Sequence, residues 1–199
     1  KLFRYVIYRY KYKNYPLKKT IEDYPPCVQI EPTSICNFRC VMCYQTDRSF
    51  SDKKNNFMGF MNFDLYKKII DELEGNVEAI TLASRGEPTL NKKFIEFIKY
   101  CNDKFVAFKI NTNLSTMTED MAKAIFENDV QTLVISADAA DKVNYEKIRV
   151  KGVFEKTLKN LELLNKVKKQ YPESRTIIRV SGVKINENQD FEQMKKIYG

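Results

Sequence analysis

Five times along this 199-residue chain, a short run rich in β-branched and aromatic residues gives way to a segment with apolar residues three and four apart. Alternation on a period of two fits a strand, and recurrence near 3.6 fits an amphipathic helix. The strand-like runs are CVQIEPTS, VEAITLA, FVAFKINTN, TLVISAD and RTIIRVSGVKI. Between and after them stand NFDLYKKIIDELEG, NKKFIEFIKYC, TEDMAKAIFEN, a short helical stretch near 143–148, VFEKTLKNLELLNKVKK and DFEQMKKIYG. In the first helix, Phe63, Tyr66, Ile69, Ile70 and Leu73 share a face, and Gly75 suits its C-terminal cap. Phe94, Phe97 and Ile98 share a face of the second, and Thr118 suits the N-cap of the third. Strands alternating with helices predict an α/β fold of parallel strands joined by right-handed crossovers. The pattern leaves an open doubly wound sheet and a partial barrel equal. In both, functional loops sit at the carboxyl ends of the strands.

Residues 1–26 stand apart as a basic, aromatic arm, KLFRYVIYRYKYKNYPLKK and its tail, closed by Pro25 and Pro26. The arm is expected either to form a basic amphipathic surface helix that touches a membrane or partner, or to pack on the domain that follows. Residues 27–199 form that domain, and a hydrophobic share of 43% is enough to bury a core. No apolar run approaches the ~20 residues of a membrane span, and no secretory leader pattern appears. The chain opens on Lys1, so its start is expected to lie further upstream. The net charge of +8 suits an anionic partner or simply a lysine-rich helix surface. The lysines are scattered, and no stretch interleaves arginine with aromatics, so nucleic acid is not an expected partner.

There is no histidine, which removes Cys–His zinc sites and histidine-based nucleophile or acid–base chemistry from this stretch. Of the five cysteines, three crowd into eight residues, CNFRCVMC, in the loop after the first predicted strand. An odd count with that spacing makes a poor disulfide framework and a better metal site in a reducing, cytoplasmic setting. A fully protein-ligated [4Fe–4S] cluster takes four thiolates. Cys36, Cys40 and Cys43 supply three, leaving one iron open to a substrate or cofactor. Three other readings remain: ordinary buried thiols, a zinc site completed by Cys27, Cys101 or a carboxylate, and a ferredoxin-like carrier with a distant fourth cysteine.

The motifs at the other strand ends resemble those of the radical SAM superfamily. The second strand ends in SRGEP, similar to the family's GGEP. The third ends in NTN, similar to its TNG. The fourth ends in SADAAD and runs into YEKIRVKGVFEKTLKNLELL, similar to the family's Ser-x-Asp strand end and its Arg–Gly–Phe helix start. The resemblance covers residues 27–199 and is nearest to the branch that carries a SPASM or twitch domain. It implies a partial (β/α)6 barrel with five strand–helix units here, the sixth being expected beyond residue 199.

It also implies roles. Cys36, Cys40 and Cys43 hold a [4Fe–4S] cluster, and S-adenosylmethionine chelates the open iron. One electron from a donor such as flavodoxin or ferredoxin then releases a 5′-deoxyadenosyl radical that takes hydrogen from a substrate. Gly86 and Glu87 are expected at the SAM amino group, Ser136 and Asp138 at the ribose or methionine end, and Arg149 at the SAM carboxylate. Asn113 is expected on the SAM side, and the backbone of Met42 at the adenine edge. Ser136 and Asp138, two apart on one strand, are expected to face the same way. No catalytic residue for the hydrogen transfer is identified, and peptide, sugar or polysaccharide, and small-metabolite substrates all fit.

Two departures stand out. Met42 occupies a position where the family often has an aromatic. Arg85 replaces the first glycine of GGEP, and its charge is expected to bind an acidic substrate group or to anchor the N-terminal arm. Cys27 and Cys101 read as buried structural thiols. Two other functions remain: an Fe–S or zinc module that transfers electrons without SAM chemistry, and a degenerate member that binds SAM inertly.

Overall fold

The computed structural model describes residues 1–128 and 130–198, with Lys53 described by its backbone alone. In chain order the elements are α1 (Leu2–Lys18), β1 (Cys27–Ile30), α2 (Arg48–Ser51), α3 (Phe63–Leu73), β2 (Ala79–Leu82), α4 (Phe94–Tyr100) and β3 (Ala107–Thr112). Then follow α5 (Glu119–Glu127), β4 (Thr132–Ser136), α6 (Lys142–Ile148), α7 (Phe154–Lys168), β5 (Ile177–Ser181) and α8 (Phe191–Tyr198).

All five strands are parallel, and their spatial order is their chain order, β1-β2-β3-β4-β5. That order decides between the two folds the pattern allowed. A doubly wound sheet reverses its strand order at a switch point and carries helices on both faces. A sheet that only ever steps forward, by right-handed crossovers, keeps its helices on one face and curls into an arc of barrel. Burial agrees. Along β3, Phe108, Ile110 and Thr112 are buried under the helices, whereas Ala107, Lys109 and Asn111 are half-buried on the concave side.

The helices form where their caps and stripes place them. The Asn62 side chain accepts from Leu65 N at 2.8 Å and opens α3, and Thr118 Oγ1 does the same for Met121 N in α5 at 3.3 Å. Past the end of α3, Gly75 takes φ +80°, a conformation that side chains resist. Tyr66 of α3 and Phe97 of α4 stack at 4.1 Å between centroids, both fully buried. Each such ring contributes on the order of 2–3 kcal/mol by leaving water. The Tyr66 hydroxyl meets Cys101 Sγ at 2.8 Å, so Cys101 is the buried structural thiol the sequence suggested.

The N-terminal arm is both a helix and a packed element. α1 lies across the amino ends of the strands, where Tyr8 is buried against Ala79 and Val106. Arg4 pairs with Glu78 at 2.9 Å and Lys1 with Asp103. Cys27 differs from expectation: it is half-buried beside Tyr8 and lines a cavity under α1. β5 is also shorter than its sequence run. It ends at Ser181, and the next stretch turns inward, where Gln189 Nε2 donates to the carbonyls of Asp138 (2.7 Å) and Val183 (2.8 Å). Among the described residues, no helix is long and apolar enough to cross a membrane.

Candidate functional site

The cysteine loop leaves β1 at the carboxyl edge of the sheet and is held from four sides. Arg39 N donates to Val150 O (2.8 Å) and Val41 N to Ile148 O (2.9 Å), tying it to the end of α6. The Arg39 guanidinium bonds back to the carbonyls of Cys36 (2.8 Å) and Phe38 (2.7 Å). Buried Gln45 donates from Nε2 to Ser34 O at 2.8 Å and to Arg85 O. From the next strand end, Glu87 N donates to Ile35 O at 3.0 Å. That last approach explains a glycine: a Cβ on Gly86 would stand 2.0 Å from Thr33 O.

Arg85 does not anchor the N-terminal arm. It forks onto Glu31 through Nε–Oε2 and Nη2–Oε1, both 2.7 Å, and covers the Phe50 ring at 5.1 Å. Burial raises the Glu31 carboxyl, but the Arg85 bonds outweigh it and hold the group below its ordinary range. Arg85 thus joins the β1, cysteine and β2 loops, while the N-terminal arm lies at the opposite end of the sheet.

The three cysteines of this loop are free and half-buried. Phe38 N donates to Cys36 Sγ at 3.4 Å, Asn113 Nδ2 stands 3.9 Å from the same sulfur, and Arg149 Nη1 stands 3.9 Å from Cys40 Sγ. Burial pushes the Cys36 thiol up to about 11. It raises Cys40 as well, against the pull of Arg149. Iron would remove those protons on binding. Among the described residues, no three acidic or cysteine side chains converge as one metal ion requires. A cuboidal cluster takes one thiolate per iron and makes no such demand. Neither remaining cysteine is a fourth ligand, since Cys27 is at the amino edge and Cys101 lies in the helix layer. Three free thiols, two of them faced by N–H donors, fit a [4Fe–4S] cluster with one open iron.

Glu87 is 2% exposed and has its carboxylate filled from within. Oε1 accepts from Thr89 Oγ1 and Thr112 Oγ1, and Oε2 from Asn113 N, each at 2.6 Å. Burial still leaves the group raised above its ordinary value. Asp138 is also occupied: Oδ1 accepts from Val183 N at 2.7 Å, and Oδ2 pairs with Arg149 Nη2 at 2.6 Å. Arg149 Nε completes the clasp on Ala137 O at 3.1 Å. The same-face reading of Ser136 and Asp138 fails because β4 ends at Ser136 and Asp138 turns to φ +71°. Ser136, half-buried, marks the strand end level with Ser181. Asn113 Nδ2 donates to Asn37 Oδ1 at 3.0 Å, and Met42 is exposed on the cysteine loop.

The sequence model of the Radical SAM superfamily matches residues 30–196. The chain belongs to the radical SAM superfamily. A cysteine-type anaerobic sulfatase-maturating enzyme of Clostridium novyi is 33% identical over 156 residues, covering 71% of this chain and 41% of the relative. The mycofactocin maturase MftC of Mycolicibacterium smegmatis is 26% identical over 177 residues, covering 89% of this chain and 43% of the relative. The chain therefore spans under half the length of these relatives. Among solved structures, Streptococcus suis SuiB bound to S-adenosylmethionine superposes with a TM-score of 0.65 at 18% identity, over 92% of this chain and 38% of SuiB. That likeness shows the fold, a partial barrel.

The superfamily's cofactors are a [4Fe–4S] cluster and S-adenosylmethionine. In this radical SAM core, the residues expected to touch SAM separately are partly bonded to one another. Glu87 serves the β3 end, and Asp138 serves Arg149. The sequence also hid four supports: Asn37, Gln45, Thr112 and Ser115. Asn37 Nδ2 donates to Ser115 Oγ at 2.7 Å and so joins the cysteine loop to the loop after β3. These are common polar residues whose roles come only from meeting across the fold, so no spacing marks them.

Proposed function

We propose that this chain is the catalytic core of an enzyme that cleaves S-adenosylmethionine reductively and uses the resulting radical on a substrate. Cys36, Cys40 and Cys43 hold the cluster, and SAM occupies the open iron. With both bound, the pair supplies a 5′-deoxyadenosyl radical able to take hydrogen from an unactivated carbon. The observation that carries this reading is the loop of three free, half-buried cysteines at the carboxyl edge, with N–H and guanidinium groups facing two of the sulfurs.

The chain's own residues bind, orient and shield. Gly86 lets the β2 loop press against the cysteine loop, so backbone groups near it serve the SAM amino group. Glu87 positions Asn113 and Thr112, and Asn113 in turn faces Cys36. Arg149, fixed by Asp138 and beside Cys40, presents its remaining N–H edge to the SAM carboxylate. Ser136 stands at the strand end for the ribose, and the backbone at Met42 for the adenine. The substrate belongs to the peptide, sugar or small-metabolite classes. The two maturases among the relatives support a branch with a SPASM or twitch domain. The net charge of +8 suits an acidic one-electron donor such as a flavodoxin or ferredoxin, in the cytoplasm. To test the reading, SAM is titrated into the reduced, reconstituted protein while the cluster's EPR signal is followed. SAM is expected to change that signal and to be cut slowly to 5′-deoxyadenosine. A signal that ignores SAM ends the proposal, even if the cluster is real.

A further inference from the structure

The concave side of the barrel holds a second feature, at the end opposite the cysteines. Between α1 and the amino ends of the strands lies a cavity of about 670 Å³. Four of the cations lining it are Arg9, Lys109, Arg175 and Arg179, and among the described residues no aspartate or glutamate lines it. None of the four has an ion-pair partner among the described residues, whereas Arg4 and Lys11 of α1, outside the cavity, are each paired. Arg9 lies over the rings of Tyr8 and Tyr12, at 5.9 and 5.5 Å. Lys109 lies close enough to Cys27 to offset part of the rise that burial imposes on that thiol.

Unpaired cations gathered in a recess repel one another, and a bound anion removes that cost. Strand register then gives the recess a direction. Lys109 is level with Thr132, and Arg179 with Asn111 and Val134, two residues nearer the cysteines. Asn113, beside Cys36, lies four residues beyond Lys109, about 13 Å along the strand. Between the two levels, Asn111 presents a buried Oδ1 with no hydrogen-bond partner, an acceptor waiting for a donor.

We propose that this cavity binds an anionic group of the substrate, a carboxylate or a phosphate, on Lys109 and Arg179, so that the substrate lies along the concave face with its reacting carbon at the cysteine end. The inference rests on the enzyme reading above and adds a substrate class to it: an elongated molecule, acidic at one end, with roughly 7–13 Å between its charge, held from the Arg179 and Lys109 levels, and its reactive position. Arg179 supplies a planar fork and Lys109 a point charge.

The test uses reconstituted holoprotein and calorimetry at fixed ionic strength. Tricarballylate and pyrophosphate serve as probes and separate carboxylate from phosphate as the source of charge. One of them is expected to bind once per chain. Arg179→Gln and Lys109→Met are each expected to weaken it by about tenfold or more. Lys142→Ala, which removes a surface lysine paired with Glu155, is expected to change nothing. SAM should perturb the cluster equally in all of these proteins. If neither probe binds the wild type, or if binding ignores both substitutions, the inference is overturned while the enzyme reading stands. If SAM leaves the cluster untouched but the probes still bind through Lys109 and Arg179, the enzyme reading falls and the anion site is upheld.

Discussion

At the scale of single residues, the five cysteines divide by environment. Cys36→Ala, Cys40→Ala and Cys43→Ala are each expected to abolish iron uptake on reconstitution, measured as iron per chain. Cys101→Ala should keep the iron and lower stability by about 1–3 kcal/mol in urea, because it opens a void and strips the Tyr66 hydroxyl of its partner. Iron lost with Cys101 would imply a four-thiolate carrier. The Asp138–Arg149 pair calls for a different experiment. Both side chains are buried, at 1% and 10% exposure, so Arg149→Met leaves a carboxylate in the interior with little besides Val183 N. Breaking one side of such a pair costs about 3–5 kcal/mol. The double variant Arg149→Met with Asp138→Leu should therefore be more stable than Arg149→Met alone in chemical unfolding. Additive losses would show that the two do not act as a unit.

At the scale of elements, α1 shows what holds a helix that buries a single tyrosine. Its C-terminal end is tied by Glu22, which accepts from Lys11 Nζ at 2.7 Å and Tyr15 Oη at 2.5 Å. These bonds hold the Glu22 carboxyl below its ordinary 4.5 and raise the Lys11 ammonium. The depressed carboxyl means the tie is fully present above 4.5 and is lost as pH falls through the lowered value. A carboxyl-detected NMR titration should show the Glu22 midpoint moving upward in Lys11→Met. An unmoved midpoint would mean that the two groups do not meet in solution.

The same scale shows what the sequence could reveal. β1 to β5, α3, α5 and α7 were legible because period and caps are local properties, and Thr118 caps α5 as its residue type suggested. Strand order was not legible, because helical periodicity is the same whether a crossover steps forward or back. The left-handed turn at Asp138 was hidden for a related reason. Its φ of +71° is set by the partners Val183 and Arg149, 45 and 11 residues further along the chain. The cysteines were legible because thiols at that spacing have few other uses. The inward occupation of Glu87 was not, because it depends on two hydroxyls brought together by neighbouring strands.

Across the whole molecule, the sheet has two unlike ends. The carboxyl edge is a knot of loops in which backbone passes against backbone, and the amino edge is a loosely lidded cation cavity. The strands between are packed on their helix side by fully buried residues such as Ile80, Phe108 and Leu133. Damage at one end should therefore not travel to the other, and a pair of substitutions separates them. Tyr8→Ala removes the one buried side chain of α1 and should cost about 2–3 kcal/mol. It should leave iron per chain unchanged, because among the described residues no cysteine-loop hydrogen bond involves α1. Gly86→Ala should do the reverse. Its Cβ would sit 2.0 Å from Thr33 O and 2.7 Å from Ile35 O, so the β1 and β2 loops must part. Cys36 lies one residue beyond that contact, so iron uptake should fall sharply even where far-UV circular dichroism shows the barrel intact. Gly59→Ala is the matched control: a Cβ there meets nothing within 4 Å, so iron per chain should be unchanged and stability should stay within about 0.5 kcal/mol of wild type. Normal iron in Gly86→Ala would show that the two loops need not touch for the cysteines to take up a cluster.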